Sequence, residues 1–150
     1  MSNPIVVEEV YEASPDQVWQ AITDKDSMKE WYFNIQDFIL KENATFNFYA
    51  PDDERKYHHQ CVIKKIVPER KFQHTWTYPS HSKGESVITW EISPEGNGSR
   101  VRLTHSGVES FSDAGNDFTR ENFEAGWKEI VGKSLKDFIS LLVANKNYLK

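Results

Sequence analysis

The chain has 150 residues, 38% of them hydrophobic, with a formal net charge of −5 and a single cysteine. That length predicts one domain over residues 1–150, burying roughly 68–70% of its unfolded surface. Scattered lysines and arginines give no basic face for nucleic acid, the lone Cys61 excludes an internal disulfide, and no apolar run approaches the ~18 residues of a membrane span. The first nine residues lack a signal-like pattern, so the expectation is a soluble, cytoplasmic protein.

Residues 5–11 are rich in β-branched side chains and predict a strand. Ser14-Pro15-Asp16-Gln17 predicts a helix start: Ser14 caps, Pro15 takes the first helical position and Gln17 closes a capping box. Val18, Trp19 and Ile22 form its apolar face. A second short helix is expected from about residue 26 to 32. It ends in Trp31-Tyr32-Phe33, which read equally as a plug of the core or as the rim of a pocket. Strands at 38–41 and 45–49 flank a turn at Glu42-Asn43-Ala44, and 51–55 is a charged loop. A hairpin joins 57–67 to 72–78 through Pro68-Glu69-Arg70, and another joins 87–93 to 99–105 through residues 94–98. Residues 108–116 form a connection. From 117 to 145 the pattern predicts one helix, ~43 Å long. At 100° per residue, Phe123, Trp127, Ile130, Val131, Ser134, Phe138, Leu141 and Leu142 fall on one arc.

Alternation sorts the strands into faces. Phe72, His74, Trp76 and Tyr78 point inward, while Lys71, Gln73, Thr75 and Thr77 are expected in solvent. Ile88, Trp90 and Ile92 share the inward face with Val101, Leu103 and His105. The hairpins are expected to set His74 beside Trp90 and Leu103, and His105 beside Ile88 and Trp76. The two histidines then stand roughly 12 Å apart, too far for one ion with ~2.0–2.1 Å bonds. His58 and His59 point to opposite faces and His81 lies in a loop. No metal site and no cofactor are expected. No Ser–His–Asp order, phosphate loop or paired carboxylates stand out, and Asp52-Asp53-Glu54 lacks the calcium-loop pattern. Cys61 reads as a buried structural thiol. His105, at a strand end, is expected to bond backbone. His74 fills a mid-strand slot that suits an apolar residue, and reads equally as a satisfied core histidine or a ligand contact. Ser134 reads as a hydroxyl bonded one turn back, with a polar anchor in a cavity as the alternative.

A set of motifs runs along nearly the whole chain: Ala13-Ser14-Pro15 with Val18-Trp19, Ala21-Ile22-Thr23-Asp24, Trp31, Pro68-Glu69-Arg70-Lys71-Phe72 with Thr75-Trp76, Thr104-His105-Ser106-Gly107, and Gly126-Trp127. With the order strand, two helices, six strands, long helix, they resemble the START-like fold of the polyketide cyclase superfamily. The branch they resemble is that of bacterial homologues of the activator of heat-shock protein 90 ATPase. Where that family often carries paired glycines, this chain has Asn43-Ala44. The resemblance implies an α+β helix-grip fold, a curved antiparallel sheet wrapped around the C-terminal helix, with a cavity between them. The twenty aromatic residues (five Trp, six Tyr, nine Phe) suit such a cavity. The expected function is non-catalytic binding of a small, mostly hydrophobic molecule. Its expected lining is Trp31, Phe33, Phe48, His74, Trp76, Tyr78, Trp90, Phe123, Trp127 and Ser134, with no catalytic residue among them. A cyclase- or hydrolase-like enzyme using His74 is the runner-up. A chaperone partner docked on an outer surface, implied by the resemblance alone, ranks behind both.

Overall fold

The computed structural model describes residues 3–50 and 57–149, with side chains up to residue 144. The charged loop expected at 51–55 therefore lies outside the described residues. Six strands, β1 (Ile5–Tyr11), β2 (Thr45–Ala50), β3 (Tyr57–Val67), β4 (Lys71–Trp76), β5 (Ser86–Glu95) and β6 (Gly98–Ser106), form one sheet in the order β1-β6-β5-β4-β3-β2. Every neighbouring pair is antiparallel. Two short helices, α1 (Pro15–Thr23) and α2 (Lys25–Trp31), link β1 to β2. After β6 come two 3₁₀ turns and then a long helical rod: α3 (Arg120–Glu129), a π-helical turn (Ile130–Ser134) and α4 (Leu135–Leu149). The rod lies on the concave face of the sheet, which is the expected helix-grip arrangement. No helix of the described residues is long and apolar enough to cross a membrane.

Local signals set the entry of the chain. The Ser14 N–H donates to Gln17 Oε1 at 3.0 Å, and Pro15 opens α1. Asp24 caps α2 by accepting from the Ser27 N–H at 2.9 Å. Asn43 takes the turn before β2 at φ 73°. Asn tolerates this left-handed conformation better than most residues, which explains how it stands where the family often has glycine.

Four expectations are corrected. No strand forms at 38–41: Ile39 and Leu40 are 64% and 38% exposed while Phe38 is buried, and turn bonds run from the Phe38 N–H to Ile35 and from the Lys41 N–H to Ile39. The β5–β6 loop is two residues long, because pairing continues to Glu95 and Gly98 around Gly96-Asn97, with Gly96 at φ 56°. The β4–β5 register is two residues from the expected one. His74 pairs with Ile88, which pairs with His105, and Phe72 takes the place beside Trp90. A slip of two leaves each side chain on its face, so the inward set is right and only the rows move. Finally, Thr75 is buried, because a bulge between Ile63 and Lys65 in β3 brings the Val62 N–H to its hydroxyl at 2.9 Å.

The long helix also departs from the expected single α-helical rod. Its buried residues are Trp127, Val131, Leu135 and Ile139, and Leu141 is 65% exposed. Four-residue spacing over twelve residues rotates a regular α-helix by about 120°. The π turn absorbs that rotation. The Leu135 N–H donates to Ile130, five residues back. The Val131 carbonyl accepts from the hydroxyl of Tyr11 on β1 at 2.6 Å. An arc drawn at 100° per residue therefore runs true to Val131 and then leaves the core.

Candidate functional site

Between the rod and the sheet lies a continuous body of aromatic rings. Trp127 of α3 stands at its centre, 5.4 Å from Trp76, 6.2 Å from Trp90 and 5.8 Å from His105, centroid to centroid. Its indole N–H donates to His105 Nδ1 at 2.9 Å. That bond fixes the tautomer: Nδ1 is the acceptor, so Nε2 carries the proton and donates to Ser86 Oγ at 2.7 Å. The Ser86 hydroxyl in turn donates to the Trp76 carbonyl at 3.1 Å. His105 thus bonds two side chains and reaches backbone only through Ser86, where a direct backbone bond was expected. The Ser86–His105 spacing imitates a nucleophile and its base, but the polarity is reversed. An imidazole that gives its N–H to a hydroxyl cannot take the hydroxyl's proton. Burial, with His74 adding to it, pushes His105 down to about 3.

His74 is buried, with Nδ1 donating to the Thr75 carbonyl at 2.8 Å, which leaves Nε2 as the acceptor of the ring. Burial lowers it to about 4. It packs at the Phe46 and Phe72 end of the interior, 5.2 Å and 5.1 Å away. His59, read in the sequence only as half of a doublet, is a third interior histidine. It stacks on Phe48 at 4.5 Å, meets Tyr78 edge-on at 4.7 Å, and donates from Nδ1 to the Tyr57 carbonyl at 3.0 Å. Burial holds it at about 4. Its alternation with Cys61 and Ile63, both buried, was the signal that pointed inward.

The expected lining residues take these places. Trp31 donates its indole N–H to Ala21 O at 2.8 Å and meets Trp90 edge-on at 6.1 Å. Phe33 is half-buried and stacks on Phe48 at 4.5 Å. Trp76 donates to the Tyr78 hydroxyl at 2.8 Å, and burial raises the Tyr78 phenol. Phe123 is half-buried against His105 at 5.2 Å and Phe111 at 5.7 Å. Ser134 stands apart from the rings. It lies in the π turn and lines a groove of about 430 Å³ between α2 and α4, with Trp31, Phe138, Leu141 and Leu142.

Tyr32, which the lining set omits, carries the most informative atom of the interior. It follows the last residue of α2, and its ring lies 4.8 Å from Trp31, 4.3 Å from Phe33, 6.3 Å from Trp90, 6.4 Å from Phe48 and 6.5 Å from Trp127. Its hydroxyl is fully buried and has no hydrogen-bond partner among the described residues. Such a group costs about 1–3 kcal/mol. Burial, with Cys61 and Tyr78 close enough to act on it, raises its phenol far above the usual range.

Among the described residues the buried polar side chains are Thr23, His59, His74, Thr75, Ser86, Ser99 and His105, none of them charged at pH 7. No three His, Cys, Asp or Glu of the described residues stand where they could hold a metal ion. Among the described residues the interior therefore offers aromatic faces, neutral hydrogen-bonding groups and no cation to pair with an anion.

Comparison with known proteins places this arrangement. A family model described as activator of Hsp90 ATPase homolog 1-like protein matches residues 12–140. No curated protein matches. Among solved structures, the Aha1 dimer from Colwellia psychrerythraea is 22% identical with a TM-score of 0.71, over 92% of this chain and 96% of that one. CalU16 from Micromonospora echinospora is 23% identical with a TM-score of 0.68, over 95% and 79%. DynU16, from the dynemicin biosynthetic locus, is 16% identical with a TM-score of 0.76, over 93% of this chain and 48% of its own. This chain thus matches about half the length of DynU16. At these identities the likenesses establish the fold.

Proposed function

The chain belongs to the activator of Hsp90 ATPase homolog 1-like family, and on that premise we propose that it binds a small, mostly apolar and uncharged molecule between the long helix and the concave sheet, without catalysis. The observation that carries this reading is the Tyr32 hydroxyl, buried without a partner among the described residues at the heart of a ring-lined interior. A native core rarely leaves a polar atom unmet, and a ligand site is where such an atom has a use. Trp31, Phe33, Phe48, Trp76, Trp90, Phe123 and Trp127 supply the apolar contact. Tyr78 and His74 offer a donor and an acceptor that orient a neutral oxygen, and Ser134 stands at the groove beside Trp31. Charge decides the ligand class. An unpaired carboxylate taken into this interior meets no cation among the described residues and loses its hydration, so neutral ring compounds are favoured over fatty acids.

The test is a thermal-shift panel of neutral aromatics, polyketide-like compounds and fatty acids, with native mass spectrometry of protein purified from its own host. Neutral ring compounds raise Tm and fatty acids do not. A panel without any shift, and a native mass with nothing bound, overturns the reading. The family description motivates a second reading, an interaction module for a 90-kDa chaperone ATPase. It is tested by that chaperone's ATPase rate with and without this protein, and an unchanged rate removes it. A cyclase- or hydrolase-like enzyme would rest on His74 alone, neutral at pH 7 with one nitrogen already engaged.

A further inference from the structure

We infer that the Tyr32 side chain is a displaceable plug, occupying in this closed form the place that a ligand's ring takes when the site is filled. The inference rests on the binding reading above and adds to it a gate. The interior otherwise treats its polar groups well. The comparison within one residue type is Tyr11, whose hydroxyl reaches in from β1 and donates to the Val131 carbonyl at 2.6 Å. A tyrosine built as permanent packing is given a partner, and Tyr32 is not.

Its position suits movement. Tyr32 makes the last helical bond of α2, from its N–H to Met28 at 2.7 Å, and the chain after it is neither helix nor strand as far as β2. The residue as a whole is only partly buried while its hydroxyl is fully enclosed. The ring therefore runs from the surface inward, with its polar end foremost. Aromatic rings from α2, β2, β5 and α3 face it, so the volume it fills suits any flat ring. The groove between α2 and α4 shares Trp31 as a wall, and a ring resting there is one side chain from the interior. Withdrawing Tyr32 loses apolar contact but returns its hydroxyl to water. These opposing terms are of similar size, which keeps the closed form from being locked.

The probe is N-phenyl-1-naphthylamine, a neutral fluorescent ring compound, titrated into the wild-type chain, Tyr32→Phe and Tyr32→Ala. Tyr32→Phe keeps the plug and removes its unmet hydroxyl. It raises Tm without probe by at least about 2 °C and weakens probe binding by about tenfold. Tyr32→Ala removes the plug, lowers Tm, and binds at least about tenfold more tightly with faster uptake. Wild-type uptake with Tyr32→Ala binding no more tightly, or Tyr32→Phe changing neither Tm nor affinity, overturns the gate and leaves the binding reading standing. No uptake by any of the three overturns the gate, and the binding reading falls with it when the ligand panel and the native mass are also blank. Should Tyr32→Ala fail to fold, the Tyr32→Phe arm alone decides.

Discussion

Two of the buried tyrosine hydroxyls, those of Tyr11 and Tyr32, show how much a single oxygen depends on its address. The Tyr11 hydroxyl closes a bond to a carbonyl of the π turn, and the Tyr32 hydroxyl closes none. The same substitution should therefore act with opposite sign at the two sites. Tyr11→Phe strips the Val131 carbonyl of this donor and should cost about 1–3 kcal/mol, whereas Tyr32→Phe should stabilise. Urea titration of Tyr11→Phe checks this, and a loss below ~0.5 kcal/mol would mean the bond contributes nothing net. The same accounting explains the indoles: Trp31, Trp76 and Trp127 each place their N–H on an oxygen or a ring nitrogen, as buried indoles normally do.

Among the elements, the π turn does most to set the interior. It brings Leu135 and Ile139 into line below Trp127 and Val131. Deleting Gly132 alone lets a regular α-helix keep these four residues on one face, since their spacing becomes four, three and four, but deleting Gly132 and Lys133 together swings everything after them by ~100°. Leu135 and Ile139 would leave the core at about 2–5 kcal/mol each, a large share of the ~5–15 kcal/mol of a domain. Loss of cooperative unfolding in circular dichroism is the expected outcome, and a change under ~1 kcal/mol would show that the turn does not set the phase. This element also marks the limit of what the sequence reveals. The Ser14-Pro15 helix start, the inward face of β4 and the rod itself are legible because each rests on a local rule. The π turn is not, since its spacing makes sense only against β1. The β4–β5 register is not, because a nine-residue connection from Thr77 to Glu85 sets it, and that connection leaves the ladder to bridge Thr77 to Gln60. Tyr32 is legible only as part of Trp31-Tyr32-Phe33, a plug or a rim, because at the end of a short helix nothing in the pattern says which way each ring points.

At the scale of the whole molecule, three neutral histidines in one interior couple folding to acidity. The folded values are about 4, 4 and 3 for His59, His74 and His105, against ~6.5 in the unfolded chain. Above pH 6.5 neither form holds these protons, and the histidines cost nothing. As pH falls below 6.5 the unfolded chain takes them up and the folded chain does not, so stability is lost until pH drops through the folded values. At pH 5 each histidine should withdraw about 2 kcal/mol. Urea titrations should give a plateau above pH 7 and a fall of several kcal/mol by pH 5. His74→Phe should recover about 2 kcal/mol of that fall, and a variant curve running parallel to the wild type would refute the assignment.

The pairing of β1 with β6 sets Ile5 against His105, and this has a consequence in time. A ribosome adding about 5–20 residues per second leaves β1 waiting roughly 5–20 s for its partner. Through that interval its inward residues Ile5, Val7 and Tyr11, all buried at the end, have no sheet to cover them. Long-range closure of this kind is slow even in the complete chain. The nascent protein is thus most vulnerable to association with its neighbours on the polysome, before any of its interior exists.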